Sequence, residues 1–245
     1  MIPNFHYYVN SLQRFTLILT FAFIFNDNLL FSQLKIDSAS ESKLHFTAHR
    51  RSCLDFVAPT LTLGLGTSWL FSRNVRELDI LTNKQWKGSN HTDFHIEDYL
   101  QYSPTTLLLL PDRVGINYLH PYYQRFIYTL GTISLSVGVT HAIKALQLRQ
   151  RPDQSDSKSF PSGHTSFAFA TADLVYLETR HNTKWIGICV YTAATTVGFL
   201  RIRHEKHWLT DVVAGAGIGI LTNRTSFYLL KKMKKQPNRW NEQMF

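Results

Sequence analysis

The sequence predicts an all-α fold, a membrane-associated helical bundle of five to six core helices, and three observations carry that expectation. Apolar stretches of helix length recur along the 245 residues. Alternation of the strand type is sustained nowhere. Small residues, Gly, Ala, Ser and Thr, lie inside the apolar stretches, as closely packed helices require. With 12 Gly and 8 Pro the chain lacks the composition of a disordered one. Its length suits one domain with short extensions.

Taken in order, Arg14 precedes an apolar run from Phe15 to Phe25, which is closed by Asn26, Asp27 and Asn28. That run falls short of the roughly twenty residues of a comfortable span. Residues 1–33 therefore read as a signal peptide or an N-terminal anchor. Residues 34–54 are polar and basic and read as a linker. A helical domain is expected over 55–230.

Within the domain, Asp55 to Ser72 is apolar, with Pro59 tolerated in a first helical turn. Arg73 to His95 is polar and carries the turn signal Gly88-Ser89-Asn90, so it reads as a connection. One short helix is expected in Ile96 to Leu110, then a loop over Asp112 to Gln124. Long helices follow over Phe126–Ile143, Gly163–Glu178, Trp185–Leu200 and Leu209–Leu230, with a polar connection from Lys144 to Pro161. Gly215, Gly217 and Gly219 in the last helix read as packing residues. They follow no strand, so a nucleotide-binding loop fails its context.

The net charge of +9 admits nucleic acid, an anionic membrane surface or an anionic substrate. No nucleic-acid module is recognisable, so no nucleic-acid partner is expected. The basic tail 231–245 opens with Lys231, Lys232, Lys234 and Lys235 directly after an apolar helix, which reads equally as a cytoplasmic flank or as a solvated tail. The best apolar stretches are marginal in length for a span, and the mean hydropathy of −0.14 is low for a chain embedded in lipid. Cys189 lies in an apolar run and reads as a buried free thiol, with a disulfide to Cys53 open in an oxidising compartment. No Cys/His spacing suggests zinc, and no metal or cofactor is expected.

Three clusters carry chemistry. Lys144, Arg151 and Arg201 are cations beside apolar helices, and a charge is expensive to bury without a partner. Three together imply an anion between them. Arg matches phosphate oxygens with a planar fork, and Lys adds a point charge. Pro161-Ser162-Gly163-His164 stands at a helix entrance, where free N–H groups and the positive dipole end favour an anion. His207 and Asp211 are four positions apart and would share a helical face. There the carboxylate would fix the imidazole tautomer, leaving the other nitrogen to attack. His164 remains as general acid. Any one of these positions alone is more simply a capping or solvated residue; their joint occurrence in order is the signal. His141 reads as structural. His204 reads as either pocket-lining or solvated. His120, His181 and Arg203 read as surface residues, and Arg149 as an uncertain substrate contact.

This pattern resembles the signature of the type 2 phosphatidic acid phosphatase superfamily, K-x6-R-P, P-S-G-H and S-R-x5-H-x3-D. The chain reads Lys144 to Arg151-Pro152, then Pro161-Ser162-Gly163-His164, then Leu200-Arg201, His207 and Asp211. Leu200 stands where the family has Ser. The stretch Asp98-Tyr99-Leu100-Gln101-Tyr102 is similar to bacterial members, a weaker signal. The resemblance implies phosphoryl binding by Lys144, Arg151, Ser162, Gly163 and Arg201. It also implies attack by His207, orientation by Asp211, leaving-group protonation by His164, and a phosphohistidine intermediate without a metal. Envelope placement and the apolar helices make a phosphorylated lipid the expected substrate: phosphatidic acid, phosphatidylglycerol phosphate, an isoprenyl diphosphate or a lipid A phosphate. The expected place is the cell envelope, either the inner membrane with a periplasm-facing site or the periplasm. A soluble acid phosphatase and a vanadate-dependent haloperoxidase share these residues, and a non-catalytic lipid-binding protein is the reading from a different class.

Overall fold

A computed structural model describes residues 55–88, 95–112, 115–181 and 183–234. The expected leader and linker, Cys53 and the last residues of the basic tail lie outside them. Helix α1 covers residues 55–67 and ends in a 3-10 turn at Ser68–Leu70. Helix α2 is Arg73–Trp86, α3 Ile96–Leu100 and α4 Ser103–Leu108. The long helices are α5 Tyr122–Lys144, α6 Gly163–Thr179, α7 Lys184–Arg203 and α8 Leu209–Lys234. The described residues contain no strand, only an isolated bridge between Arg149 and Lys158. The all-α expectation holds.

Helix α6 is the centre, packed against α8, α7 and α5. Its residues Ala168, Phe169, Ala170, Ala172, Leu174 and Val175 are wholly buried. The contact with α8 depends on glycine. A Cβ on Gly219 would stand 2.3 Å from the Ser166 carbonyl oxygen, and one on Gly215 2.6 Å from that of Ser162. Gly217 gives the same room to α1 at Leu63. The three glycines are packing residues, as the sequence indicates.

Much of the interior is polar and internally paired, as buried polar groups must be. Asp173 of α6 accepts hydrogen bonds from Tyr191 Oη at 2.6 Å, Asn223 Nδ2 at 2.6 Å and Arg224 Nη2 at 2.9 Å. Buried Arg125 donates to the carbonyls of Leu108 and Leu110, pairs with Asp112 and stacks 3.7 Å over Tyr118. It ties the 109–121 connection to the start of α5. His120, expected at the surface, receives the same treatment: its Nδ1 lies 2.8 Å from Oε1 of buried Glu178.

Three expectations are corrected. The segment Arg73–His95 contains helix α2, not just a connection. Its buried face is polar (Asp79, Thr82 and Asn83), while Leu78, Ile80 and Leu81 face outward. Hydrophobic periodicity reads such a helix inside out. The single helix expected in Ile96–Leu110 is two, because Pro104 suits the first turn of a new helix and not the interior of an old one. Cys189 is exposed on α7, not buried.

By length and composition α5 and α7 are apolar enough to cross a membrane. Only 28% of the apolar window of α5 is buried inside the molecule, against 61% for α7. Phe126, Leu130 and Val137 of α5 are exposed.

Candidate active site

The C-terminal ends of α5 and α7 meet the N-terminal ends of α6 and α8 at one end of the bundle. Lys144 closes α5, Arg201 lies in the last turn of α7, and Gly163 and His164 open α6. Cations at helix C-termini and an anion at a helix N-terminus are both favoured by the peptide dipoles. A cavity of about 640 Å³ lies there, lined by Lys144, Arg151, Gly163, His164, Arg201 and His207, with Tyr102, Val137, His141 and Phe167 along its flank. Six of the eight sequence-selected positions thus face one space.

The cations are held by the protein and still face the cavity. Lys144 Nζ donates to the Lys158 carbonyl at 2.6 Å. Arg151 Nε donates to Asp156 Oδ1 at 2.8 Å, and its Nη1 to the Lys206 carbonyl at 3.3 Å. Arg201 is 8% exposed, and its Nε has no hydrogen-bond partner among the described residues. The Arg149–Lys158 bridge folds the loop between α5 and α6 so that Arg151 comes back over Lys144.

His207 is buried and its Nδ1 has no hydrogen-bond partner among the described residues. Burial, and then the charges of Arg201, Lys144 and Arg151, hold its pKa well below the ordinary histidine value. The imidazole is neutral at pH 7, the form with a lone pair to give. His164 Nε2 contacts Asp98 Oδ1 at 2.8 Å. Burial and then Arg201 push His164 down to about 4, against the pull of Asp98. Asp98 Oδ1 also lies 3.5 Å from Arg201 Nη1.

Two of the eight positions are placed differently from expectation. Ser162 is buried, and its hydroxyl pairs with Thr165 Oγ1 at 2.8 Å instead of facing the cavity. The backbone N–H of Ser162 is spent on the Asp211 carbonyl at 3.0 Å. Asp211 and His207 do not share a helical face, because His207 precedes α8 in a turn. Their closest approach is 4.0 Å, between His207 Nδ1 and Asp211 Oδ2. That is beyond a hydrogen bond. The Asp211 carboxylate accepts instead from Ser159 Oγ at 2.5 Å, the Trp208 N–H at 3.0 Å and Arg149 Nη1 at 3.1 Å. It locks the turn that carries His207.

Sequence reasoning missed the residues behind that lock. Arg149 is no substrate contact: it lies between the rings of Trp69 and Trp208, at 4.4 and 4.9 Å, and bridges Asp211 to Asp79 at 2.7 Å. Asp79 also takes the N–H of Thr210 at 3.0 Å and its hydroxyl at 2.6 Å. Asp98, singled out only as part of a weak stretch, is the partner of His164. His141, read as structural, lines the cavity. His204, read as pocket-lining or solvated, instead contacts buried Glu97.

The model of a family described as the PAP2 superfamily matches residues 125–235. The lipid A 1-phosphatase of Porphyromonas gingivalis is 36% identical over 109 residues, which are 44% of this chain and 24% of that protein. The chain thus spans about a quarter of the length of this curated relative. The first transmembrane PAP2 type phosphatidylglycerolphosphate phosphatase from Bacillus subtilis superposes with a TM-score of 0.53 at 22% identity, covering 76% of this chain and 98% of that one. Aquifex aeolicus LpxE gives 0.47 at 21% identity, over 62% and 93%. The Bacillus likeness shows a shared fold.

Proposed function

We propose, from the match of residues 125–235 to the model of the PAP2 superfamily, that this chain is a phosphatase of the cell envelope. Its substrate is a lipid bearing a phosphate monoester or a diphosphate, and its intermediate is a phosphohistidine at His207. The observation that carries this reading is the neutral, buried His207 at a cavity shared by Lys144, Arg151 and Arg201.

The phosphoryl oxygens take the three cations and the N-terminus of α6 at Gly163. There the donors are fixed before the substrate arrives, so little reorganisation is required as charge develops. His207 attacks phosphorus as the ester oxygen departs. The bound phosphate raises the proton affinity of His164, which donates to that oxygen. Asp98 keeps the His164 ring aimed at the cavity. Water then attacks the phosphohistidine, with His164 as base by microscopic reversibility. Asp211 acts on His207 through the turn it locks. Ser162 contributes by anchoring the start of α6 to α8.

Two features favour a lipid. The flank of the cavity runs along α5 past Val137, and the outward apolar residues of that helix continue from it. The matched relative is named for lipid A, which puts a lipid A phosphate first among the candidates. A membrane location with the cavity on the periplasmic side places the chain end after α8 in the cytoplasm, where its lysines suit the anionic leaflet.

The test is phosphate release by purified protein in EDTA. The panel holds lipid A, diacylglycerol phosphates, isoprenyl diphosphates and a soluble aryl phosphate. One lipid should be preferred, vanadate should inhibit, and His207→Ala should lose at least about a thousandfold in kcat, as removal of a nucleophile does. Near-normal turnover by His207→Ala overturns the intermediate. Faster turnover of the aryl phosphate overturns the lipid assignment.

A further inference from the structure

Behind the cavity a second cluster lies beside Arg201, whose Nη1 is 3.6 Å from Glu97 Oε1. His95 caps the N-terminus of α3, Glu97 lies in its first turn, and His204 caps the C-terminus of α7. The Glu97 carboxylate is fully buried. His204 Nδ1 lies 2.7 Å and His95 Nδ1 3.4 Å from Glu97 Oε1, and the two Nδ1 atoms are 3.3 Å apart. The second oxygen, Oε2, is buried without a hydrogen-bond partner among the described residues.

Protons satisfy this arrangement poorly. Three lone-pair atoms converge on one point. If the His204 Nδ1 proton goes to Glu97, His95 Nδ1 is left with at most a share of that same proton. If both nitrogens carry protons, the two N–H groups crowd each other over one oxygen. A cation at the centre satisfies all three atoms at once. With metal–ligand bonds of about 2.0–2.1 Å, tetrahedral zinc has ligand-to-ligand edges of roughly 3.3–3.4 Å. Two of the three edges here already measure 3.3 and 3.4 Å. Only the 2.7 Å edge, the present hydrogen bond, has to open. His95 is partly exposed, with 37% of its side chain accessible. That leaves a side for water as fourth ligand.

We propose that His95 Nδ1, His204 Nδ1 and the Glu97 carboxylate form a site for one divalent transition-metal ion of the zinc class. Two imidazoles and a carboxylate are a borderline donor set that suits zinc over magnesium or calcium. The ion is a staple and takes no part in phosphoryl transfer. It joins α3 to the end of α7, and so fixes Asp98, the residue after Glu97, against His164 and Arg201. The ligands His95 and His204 are 109 positions apart. No Cys/His spacing announces them, so the sequence gives no sign of a metal.

The experiment uses the full chain in detergent, without an affinity tag, stripped of metal and titrated with Co²⁺ and then Zn²⁺. One Co²⁺ per chain is expected, with the intense visible absorption of a four-coordinate site, displaced by Zn²⁺. Zn²⁺ should raise Tm by about 4 °C or more, as tight binding to the native state does. His204→Gln should abolish the absorption. His95→Ala should weaken binding at least about tenfold and leave the metal-free Tm unchanged, because its ring is partly exposed; it keeps the test decisive if His204→Gln fails to fold. Absent stoichiometric uptake, weak six-coordinate absorption, or uptake unchanged in His95→Ala would each overturn the site. None of these readouts depends on turnover, so failure of the phosphatase reading leaves a separate trace.

Discussion

The side chain with the most at stake is His207. Its folded pKa lies below the ordinary 6.5 because burial and three cations penalise the imidazolium. His164 is depressed in the same direction. For such groups the unfolded chain binds protons that the native protein refuses. Stability from this source is therefore complete above pH 6.5 and is lost as pH falls through the folded values. Tm should decline between pH 6.5 and 4, the decline should be smaller in His207→Gln, and inorganic phosphate should reverse part of it by supplying the missing counter-charge. A decline of the same size in His207→Gln would remove His207 from this account. Arg149 poses a different problem. It compensates two carboxylates, Asp79 and Asp211, that are fully buried. Breaking a buried pair from one side costs about 3–5 kcal/mol. Arg149→Leu should lose that much in denaturant unfolding, and an Arg149→Leu/Asp79→Asn double variant should recover part of it. Equal stability of Arg149→Leu and the parent protein would contradict the lock on the His207 turn.

At the level of elements, the pair α6 and α8 sets how closely the N-terminal end of α6 approaches the turn carrying His207. That distance is a property of glycine. Gly219→Ala brings a methyl group against the Ser166 backbone, 2.3 Å away, and the helices must part. Overpacking of this kind costs about 1–3 kcal/mol. At Gly138 of α5 a Cβ would meet nothing within 4 Å among the described residues. Gly138→Ala should then gain up to about 1 kcal/mol in helix propensity. Opposite shifts in Tm for the two variants are expected, and a shift of the same sign in both would show that α6 and α8 are not in limiting contact. Helix α2 illustrates the reverse of the usual pattern. It turns Asp79 inward to Thr210 and Arg149 and leaves Leu78 and Leu81 outside, so its place is set by hydrogen bonds.

On the scale of the whole molecule, the low mean hydropathy and the exposed apolar surface of α5 point in opposite directions until burial is considered. Polar residues are folded inward: Asn223 joins Asp173 to Thr132 in the interior, and buried Glu178 pairs with His120. A chain with average composition can thus present an apolar exterior. Inverted placement of this kind suits a lipid surrounding. The full chain, recovered in a membrane fraction, should resist extraction by carbonate or high salt and require detergent. Release by salt alone would mark a soluble or peripheral protein and favour the acid-phosphatase reading.

The sequence by itself determined the helical class, the extents of α6, α7 and α8 to within a few residues, and six of the groups around the cavity. These follow from local chemistry: apolar runs, a helix entrance rich in N–H groups, and cations that need an anion. Tertiary structure decided what those groups do to one another. His207 and Asp211, read as a hydrogen-bonded pair from their spacing, are separated because α8 begins only after His207. Ser162 turned its hydroxyl to Thr165. Arg149, Asp79 and Asp98 entered the site, and His95, Glu97 and His204 converged, from positions up to 132 residues distant in the case of Asp79 and Asp211 (211 − 79 = 132). No periodicity or spacing encodes such meetings, because they depend on how closely glycine lets helices approach and on which buried charge finds its partner. That is a property of packing in three dimensions, absent from any window of the chain.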